Sequence, residues 1–292
     1  MRIAVLSGKG GTGKTLVSVN LAAAAEEAVY IDCDAEEPNG RLFFKPADII
    51  EEPVTVTIPQ VNNDLCIGCR KCVELCRFNA LAYIMDRLLI FKEICHSCGG
   101  CVLVCPENAL TERERAIGKI QRGISDSVEV STGILNTGEA SGVPIINRII
   151  SMGSCEKNDP VHVDRPVFID CPPGSACSVM ESIKDADYCI LVAEPTLFGA
   201  HNLNMVYELV KLFGKKYGVV LNKCLNGENP SEKLCIEKNI KILTHIPFDN
   251  ELGILNSNGE IAVKKSEKYR DIFICLLEKV TKEVQNEGGV GA

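Results

Sequence analysis

Two groups of residues in this sequence have the types and spacing needed for chemistry, and the first is a glycine-rich segment near the N-terminus. It follows the apolar stretch Ile3 to Leu6 and fits the pattern G-x-x-x-x-G-K-T. In such a loop, backbone N–H groups turn inward around phosphates, the lysine reaches the terminal phosphates and the threonine hydroxyl binds Mg²⁺. The pattern therefore predicts a nucleotide site that comprises Gly8, Lys9, Gly10, Gly11, Thr12, Gly13, Lys14, Thr15 and Leu16.

Acidic residues follow two later apolar stretches of the chain. One stretch runs into Asp32-Cys33-Asp34 and the other runs into Asp170. The carboxyl ends of parallel strands border the crevice in which such sheets bind ligands, and acidic side chains there hold Mg²⁺ with its water shell. Each aspartate taken alone is also typical of a helix N-cap or a turn. Together with the glycine-rich loop, the residues predict a magnesium site formed by Thr15, Asp34 and Asp170.

The second group is a run of cysteines. Eight of the 16 cysteines lie between positions 66 and 105, in two copies of C-x₂-C-x₂-C-x₃-C that are offset by 29 residues. The tripeptide Asn-Ala-Leu that begins at position 79 recurs at position 108, so the repeat is an internal duplication. Three thiolates at i, i+3 and i+6 can hold one corner of a cubane, and the metal then replaces an apolar core in a segment too small to be stable alone. We predict two [4Fe–4S] clusters, with zinc or disulfides as the alternatives.

Composition excludes several classes of protein. The 292 residues include 31 Lys and Arg against 39 Asp and Glu, so the formal charge is −8 and nucleic-acid binding is disfavoured as the main role. No stretch of about 18 apolar residues predicts a membrane span. The apolar stretch Ile3 to Leu6 is too short for a signal-peptide core. We therefore expect a cytoplasmic protein, in which clustered cysteines are metal ligands and not disulfides.

The elements that must position these residues follow an alternating pattern. Apolar strand signals alternate with helix patterns, which predicts an α/β protein with a mostly parallel P-loop sheet and helices on both faces. We place a discontinuous ATPase domain at 1–58 and 113–292, with the cysteine-rich insert at 59–112. Near the end, an apolar helical stripe from Tyr269 to Val284 has mixed flanking charges, so we expect core packing and not stable membrane attachment. Further elements are predicted at 120–134 (strands), 144–152 (helix), 189–193, 217–221 and 240–246 (strands).

The loop also carries a family resemblance. A lysine, Lys9, comes directly after the first glycine, and this form resembles the deviant Walker A motif of MinD/ParA-type ATPases, related to the Mrp-type and nitrogenase iron-protein ATPases. The resemblance implies a homodimer that forms face to face on ATP, in which Lys9 contacts phosphates held by the partner subunit. It further implies that Asp34 orients the attacking water and that Asp170 senses the γ-phosphate. The expected catalytic residues are Lys9, Lys14, Asp34 and Asp170.

Two later segments match the family less specifically. Asn222, at the end of the apolar stretch that begins at Val219, matches the position of the adenine-reading asparagine, although an asparagine there is also typical of a turn. Pro247 lies in the segment Ile246 to Asp249, which resembles the part of the family that borders the base. The resemblance therefore adds Asn222 and Pro247 to the expected nucleotide site.

The cysteine repeat resembles the bacterial two-cluster ferredoxins, in which the fourth cysteine of each run binds the other cluster. Pro106 follows Cys105, whereas Arg77 follows Cys76, so the two copies differ at this turn. The resemblance implies one cluster on Cys66, Cys69, Cys72 and Cys105, and a second on Cys95, Cys98, Cys101 and Cys76.

One cysteine outside the repeat has a notable position. Cys177 falls seven residues after Asp170, at the offset where the nitrogenase iron protein places a cysteine ligand of its dimer-bridging cluster. The second cysteine which that cluster needs is missing near Gly138, so a permanent bridging cluster is not expected. A transient metal site that uses Cys177 with Cys171 or Cys155 stays open as a speculative extra site.

The two parts together resemble MinD-superfamily ATPases that carry an inserted ferredoxin domain. In a first function, ATP-driven dimer closure gates low-potential electron transfer to a redox partner. In a second, the ATPase assembles iron–sulfur clusters or metal sites, or delivers them to a client protein. In a third, it positions a partner and the clusters are purely structural. The first predicts that only the eight ferredoxin cysteines matter, whereas the second predicts labile extra iron and dependence on cysteines such as Cys177.

Overall fold

The computed structural model describes residues 1–155 and 165–285, without the side chains of 153–155. The described strands are β1 (Arg2–Leu6), β2 (Ala28–Asp32), β3 (Ala47–Val61), β4 (Leu81–Ile84), β5 (Arg87–Ile90), β6 (Leu110–Ser125), β7 (Val128–Leu135), β8 (Val167–Asp170), β9 (Tyr188–Ala193), β10 (Lys216–Cys224) and β11 (Ile242–Pro247). The described helices are α1 (Lys14–Ala24), α2 (Gly40–Phe44), α3 (Lys71–Leu75), α4 (Gly100–Leu103), α5 (Val143–Cys155), α6 (Cys177–Ile183), α7 (Leu197–Leu212), α8 (Pro230–Glu237), α9 (Asn250–Ser257), α10 (Ala262–Lys265) and α11 (Glu267–Gln285).

One large sheet organises the chain. Within the described residues it has nine strands in the order β11-β10-β9-β1-β8-β2-β7-β6-β3. The strands from β11 to β7 run parallel, β6 is antiparallel to β7, and β3 is antiparallel to β6. The predicted mostly parallel sheet with helices on both faces is therefore confirmed.

Two apolar layers cover the two faces of this sheet. On β1, Ile3 and Val5 face one layer, which α1, α2, α9, α10 and α11 complete, while Ala4 and Leu6 face the other layer, formed with α5, α6, α7 and α8. Such burial on both faces explains why the parallel strands are continuous apolar runs.

The predicted C-terminal stripe packs on the first of these layers. Tyr269, Phe273, Leu276 and Val280 of α11 are buried there, as the mixed flanking charges led us to expect. The last residues, 286–292, lie outside the described part of the chain. None of the described helices is both long and apolar enough to cross a membrane.

A long two-stranded ribbon connects the sheet to the cysteine-rich segment. β3 and β6 pair from Ala47 opposite Ile124 to Val61 opposite Leu110, with register shifts between Ala47 and Ile50 and between Val54 and Thr55. The part of β6 from Gly118 onward also pairs with β7, whereas the part before it pairs with β3 alone. The predicted boundaries at 58/59 and 112/113 therefore fall inside these two strands.

The segment at the tip of the ribbon repeats its own backbone. Residues in the left-handed region recur at the 29-residue offset, in the pairs Gly68 and Ser97, Arg70 and Gly99, and Asn79 and Asn108. Each copy contains a short helix, α3 in the first and α4 in the second. The apolar core of this segment is small, and its buried members are Cys72, Leu81, Leu88 and Leu110.

Candidate functional site

The glycine-rich loop joins β1 to α1 and is fastened from the side by β10. The Asn222 amide donates a hydrogen bond from Nδ2 to the Thr12 carbonyl at 2.8 Å. Gly13 has φ +99°, and a Cβ there would lie 2.1 Å from Nδ2 of Asn222, so only glycine fits. Lys223 Nζ donates to the Gly11 carbonyl at 2.7 Å. The loop is thereby held open at the N-terminus of α1, where the helix dipole favours an anion.

Lys14 lies buried among carboxylates at the start of α1. Its Nζ is 3.3 Å from Oδ1 of Asp170 and 3.6 Å from Oδ2 of Asp34. Burial acts to lower the pKa of Lys14, but Asp170 and Asp34 outweigh it, and the net pKa is raised. The ammonium group is therefore charged and is available to exchange these carboxylates for phosphate oxygens.

Asp32 is a site residue that the sequence analysis did not single out. It is fully buried, and its carboxylate accepts the backbone N–H of Gly40 at 2.8 Å and that of Asp34 at 3.1 Å. Burial, with the nearby Asp170, raises the pKa of Asp32 to about 8. Burial also raises the pKa of Asp34, against the effect of Lys14. With several carboxylates around one lysine, the chemistry of this donor set fits a hard cation such as Mg²⁺.

An open groove with an empty volume of about 1760 Å³ runs over the loop. The far wall of the groove includes Leu42 and Phe43, which nothing in the sequence marks, and Phe248, which follows the predicted Pro247. Gly8, Lys9, Thr12 and Asp170 do not line the groove. The predicted residues that do line it are Gly10, Gly11, Gly13, Lys14, Thr15, Leu16, Asp34, Asn222 and Pro247.

Lys9 is held outside the groove by its own chain. Its ammonium group forms an ion pair with Glu194, and lies 5.1 Å from the centre of the Phe198 ring. Lys223 approaches the other oxygen of Glu194 at 3.9 Å. Glu194 directly follows β9, so the rule that drew attention to Asp34 and Asp170, an acidic residue at the carboxyl end of a strand, applies to it as well.

Tyr30 is another site residue that the sequence analysis missed. It lies fully buried in the middle of β2, and its hydroxyl donates a hydrogen bond to Oδ2 of Asp170 at 3.0 Å. The only signal in the sequence is a tyrosine among the aliphatic residues of a strand that is buried on both faces. A buried tyrosine hydroxyl normally has a partner, but the sequence does not identify Asp170 as that partner.

The eight cysteines of the insert line two cavities. The empty volumes are about 390 Å³ for the first cavity and about 420 Å³ for the second. Cys66, Cys69, Cys72 and Cys105 line the first, and Cys76, Cys95, Cys98 and Cys101 line the second. These are the two sets that the ferredoxin resemblance implies. Each cavity is lined by the first three cysteines of one run and the fourth cysteine of the other run.

The donor chemistry of both cavities fits an iron–sulfur cluster. The backbone N–H of Ala80 donates to Sγ of Cys76 at 3.4 Å, and that of Ala109 donates to Sγ of Cys105 at 3.3 Å, which favours thiolate. Burial raises the pKa of Cys101 to about 11, and a bound metal ion would favour the thiolate form. Within the described residues, no three His, Cys, Asp or Glu side chains are arranged to hold a single metal ion.

Two cysteines of the speculative extra site, Cys177 and Cys171, have different surroundings. Cys177 is exposed at the first position of α6, whereas Cys171 is fully buried in the core. The side chain of Cys155 lies outside the described residues.

The fold and the loop define a class of protein. A parallel sheet, a glycine-rich loop between a strand and a helix, and carboxylates at the ends of β2 and β8 are the features of a P-loop nucleotide-binding protein. Residues 3–263 match the model of the CobQ/CobB/MinD/ParA nucleotide binding domain. The chain belongs to this family of MinD/ParA-type P-loop proteins.

Similar proteins come from archaea. An uncharacterised protein of Methanocaldococcus jannaschii is 32% identical over 284 residues, which cover 96% of each chain. An iron–sulfur cluster carrier protein of Methanococcus maripaludis is 23% identical, with 97% of this chain and 86% of that protein covered. The septum site-determining protein MinD of Pyrococcus horikoshii, solved with Mg-ADP, has the same fold with a TM-score of 0.59, 20% identity and 99% of both chains covered.

Proposed function

We propose that the protein binds and hydrolyses ATP as a nucleotide-dependent homodimer, and that this switch controls low-potential electron transfer through two [4Fe–4S] clusters to a redox partner. The observation that carries the proposal is a continuous connection. Asp32 holds the N–H of Gly40 at the start of α2, and α2 leads directly into β3, whose far end carries the cysteine-lined cavities. A change at the nucleotide site therefore has a short covalent route to the insert.

At the nucleotide site, each residue has a defined part in the proposal. The N–H groups of the loop and of the first turn of α1 bind the phosphates. Lys14 exchanges Asp34 and Asp170 for the terminal phosphates, and these aspartates with Thr15 hold Mg²⁺ and its waters. Asp34 orients the attacking water, and Lys9 contacts the nucleotide of the partner subunit.

The remaining parts of the proposal concern the base and the insert. Asn222 and Pro247 border the adenine. The insert, 59–112, interrupts an ATPase domain formed by 1–58 and 113–292. Its two sets of four cysteines hold the clusters, which supply one-electron transfer at low potential when bound. Contacts to the γ-phosphate order the loops around Asp34 and Asp170, and hydrolysis releases them.

A second candidate is a carrier function. The relative from Methanococcus maripaludis is named as an iron–sulfur cluster carrier, and Cys177 is exposed at the start of α6. In this alternative the chain delivers a cluster or a metal to a client protein, and it binds labile iron beyond the two resident clusters. A third candidate, in which the ATPase positions a partner and the clusters are structural, predicts neither labile iron nor a redox response.

The deciding experiment is an anaerobic redox titration followed by EPR, with and without a non-hydrolysable MgATP analogue, beside an iron count. We expect about eight iron atoms per chain, four in each cluster, and a nucleotide-dependent shift of at least one potential. A shift of about 60 mV corresponds to a tenfold change in the one-electron equilibrium.

Matched variants give this experiment its controls. Lys14→Ala should keep the iron and lose both nucleotide binding and the potential shift. Cys69→Ser should lower the iron count, whereas Cys275→Ser, an exposed cysteine on α11, should not. Unmoved potentials in the presence of bound nucleotide would contradict electron gating. Labile iron that depends on Cys177 would then favour the carrier.

A further inference from the structure

Asp170 is oriented by a residue that never touches the groove. Oδ1 of Asp170 faces Lys14 at 3.3 Å, and Oδ2 accepts the hydroxyl of Tyr30 at 3.0 Å. Burial, with Asp170 and Asp32, raises the pKa of Tyr30 well above its usual range, so its hydroxyl remains a donor. Tyr30 is fully buried, so water does not replace this hydrogen bond.

The Tyr30 ring, including its hydroxyl end, packs against α2. The ring centres of Tyr30 and Phe44 are 4.9 Å apart. A Cβ on Gly40 would lie 2.3 Å from a ring carbon of Tyr30, so the ring rests directly on the backbone of α2. The ring therefore cannot move toward α2 without moving α2 itself, because a close-packed interior leaves no free space.

Helix α2 is also the base of the ribbon that carries the insert. Its last residue, Phe44, is followed by β3 from Ala47, which is the strand that enters the insert. The hydroxyl of Ser125, the last residue of β6, donates to the carbonyl of Phe44. Both strands of the ribbon are therefore attached to the end of α2.

We infer that Tyr30 is a positioning residue that couples Asp170 to α2 and, through α2, to the base of the β3–β6 ribbon. The inference rests on the proposed function, since it assigns the route by which nucleotide reaches the insert. When Asp170 turns toward Mg²⁺ and the γ-phosphate, the hydroxyl of Tyr30 follows it, because a hydrogen bond to this charged carboxylate is stronger than one to its other neighbour, the neutral hydroxyl of Ser18. The ring then shifts against Gly40 and Phe44, and α2 moves with the ribbon.

Tyr30→Phe tests this coupling, because it removes one hydroxyl and keeps the ring. Tyr188→Phe is the matched control, since Tyr188 is also buried in a strand and its hydroxyl has no hydrogen-bond partner among the described residues. Two quantities are measured anaerobically on the full chain. The first is the ratio of ADP dissociation constants in EDTA and in Mg²⁺. The second is the change in hydrogen exchange of Ala47–Val61 when AMP-PNP and Mg²⁺ bind.

In Tyr30→Phe we expect the ratio to fall about tenfold, as for the loss of a hydrogen bond to a charged group. We also expect the exchange response of β3 to be lost, while Tyr188→Phe keeps both quantities. A β3 response that persists in Tyr30→Phe overturns the coupling, and an unchanged ratio overturns the positioning of Asp170. A wild-type chain that binds no nucleotide overturns the proposed function and this inference together.

A second variant keeps the test decisive where Tyr30→Phe does not fold. Phe44→Leu leaves the hydrogen bond between Tyr30 and Asp170 in place and loosens only the contact with α2. The ratio of the ADP dissociation constants in EDTA and in Mg²⁺ should stay at the wild-type value. The change in hydrogen exchange of β3 on nucleotide binding should be reduced at least several-fold. A full β3 response in this variant overturns the coupling through α2.

Discussion

At the scale of residues, the nucleotide site is organised by an excess of buried negative charge. Asp32, Asp34 and Asp170 surround the single ammonium group of Lys14, and two of these carboxyls have raised pKa values because they are buried. A carboxyl with a raised pKa in the folded state binds a proton more tightly there than in the unfolded chain. Folding is therefore linked to proton uptake at this site.

The first prediction concerns pH and Asp32. The pKa of Asp32 is raised from its ordinary value of 3.8 to about 8 in the fold. Its contribution to the free energy of unfolding is therefore present at low pH, and it is lost as the pH rises from the first of these values to the second. For the nucleotide-free, Mg²⁺-free protein, we expect the free energy of unfolding to fall between pH 5 and pH 8, with a slope of up to about 1.4 kcal/mol per pH unit from this group. Anaerobic urea unfolding at a series of pH values measures it.

Two variants test the assignment to Asp32. Asp32→Asn removes the titrating group, so the slope should flatten. Asp185→Asn, at an exposed aspartate, should keep the wild-type slope. An equal slope in Asp32→Asn and the wild type would contradict the assignment.

Residues with a fixed local spacing were predicted from the sequence, whereas Tyr30 and Asp32 were not. Asp170 and Asn222 also have distant partners, but the end of a strand and the family resemblance marked them. The glycine-rich loop, Asp34 and the eight cysteines have fixed spacings, so the pattern alone identifies them. The partner of the Tyr30 hydroxyl lies 140 residues further along the chain, and no spacing rule connects them. Asp32 was passed over because a carboxylate that accepts two backbone N–H groups has the same sequence context as one that faces a ligand.

At the scale of elements, the ribbon of β3 and β6 is the part that the sequence described least well. The edge strand carries Pro53 and Pro59, and β6 begins with the charged run Glu112 to Arg115. Apolar and polar residues alternate only from Val54 to Ile58, where one face is buried. The exposed residues before this stretch and the charged start of β6 interrupt the pattern that makes a strand recognisable. Proline is tolerated in β3 because β3 pairs on one side only.

An ion pair ties this ribbon to the body of the protein. The guanidinium of Arg115 donates to both carboxylate oxygens of Glu139, which precedes α5, and also to the carbonyl of Lys92 at 3.1 Å. Both side chains are largely buried. Since an isolated two-stranded ribbon is only marginally stable, this contact with the body restrains its outer half.

The second prediction is that Glu139→Gln loosens the ribbon without unfolding the sheet. Arg115 is largely buried, so the loss of its charged partner destabilises this contact by about 1–3 kcal/mol. We expect amide exchange in the outer half of β6, around Glu112 to Ala116, to increase about tenfold or more, as measured by hydrogen–deuterium exchange. Glu51→Gln breaks an exposed pair with Lys119 and should have little effect. Equal exchange in the two variants would argue against a restraint by Glu139.

At the scale of the whole molecule, two cores of very different size coexist. The body has an apolar layer on each face of its sheet, whereas the insert has a small core in which cysteines stand beside a few leucines. So small a core supplies little hydrophobic stabilisation, and the proposed clusters would supply folding energy in its place. The duplicated motif is visible in the sequence, but the different stabilities of the two parts become visible only in the packing.

The third prediction follows from this difference. Anaerobic removal of iron with a chelator should raise the hydrogen exchange of residues 62–109 toward the unfolded rate, because the proposed clusters replace a core there. The amides of β1 and β8, in the centre of the large sheet, should keep their protection, as in a mock incubation without chelator. Loss of protection in β1 would contradict separate stabilities, and full protection of 62–109 without iron would contradict metal-dependent folding.

The pairing of Val61 with Leu110 has a consequence for how such a chain arises. The chain enters and leaves the cysteine-rich segment at neighbouring points, so the intervening residues close a loop whose ends the ribbon already holds together. One contiguous stretch of coding sequence can therefore be gained at this turn, or lost from it, while the strand order and both apolar layers stay the same. In this sense the segment is a portable module, and the edge of the sheet is its point of attachment.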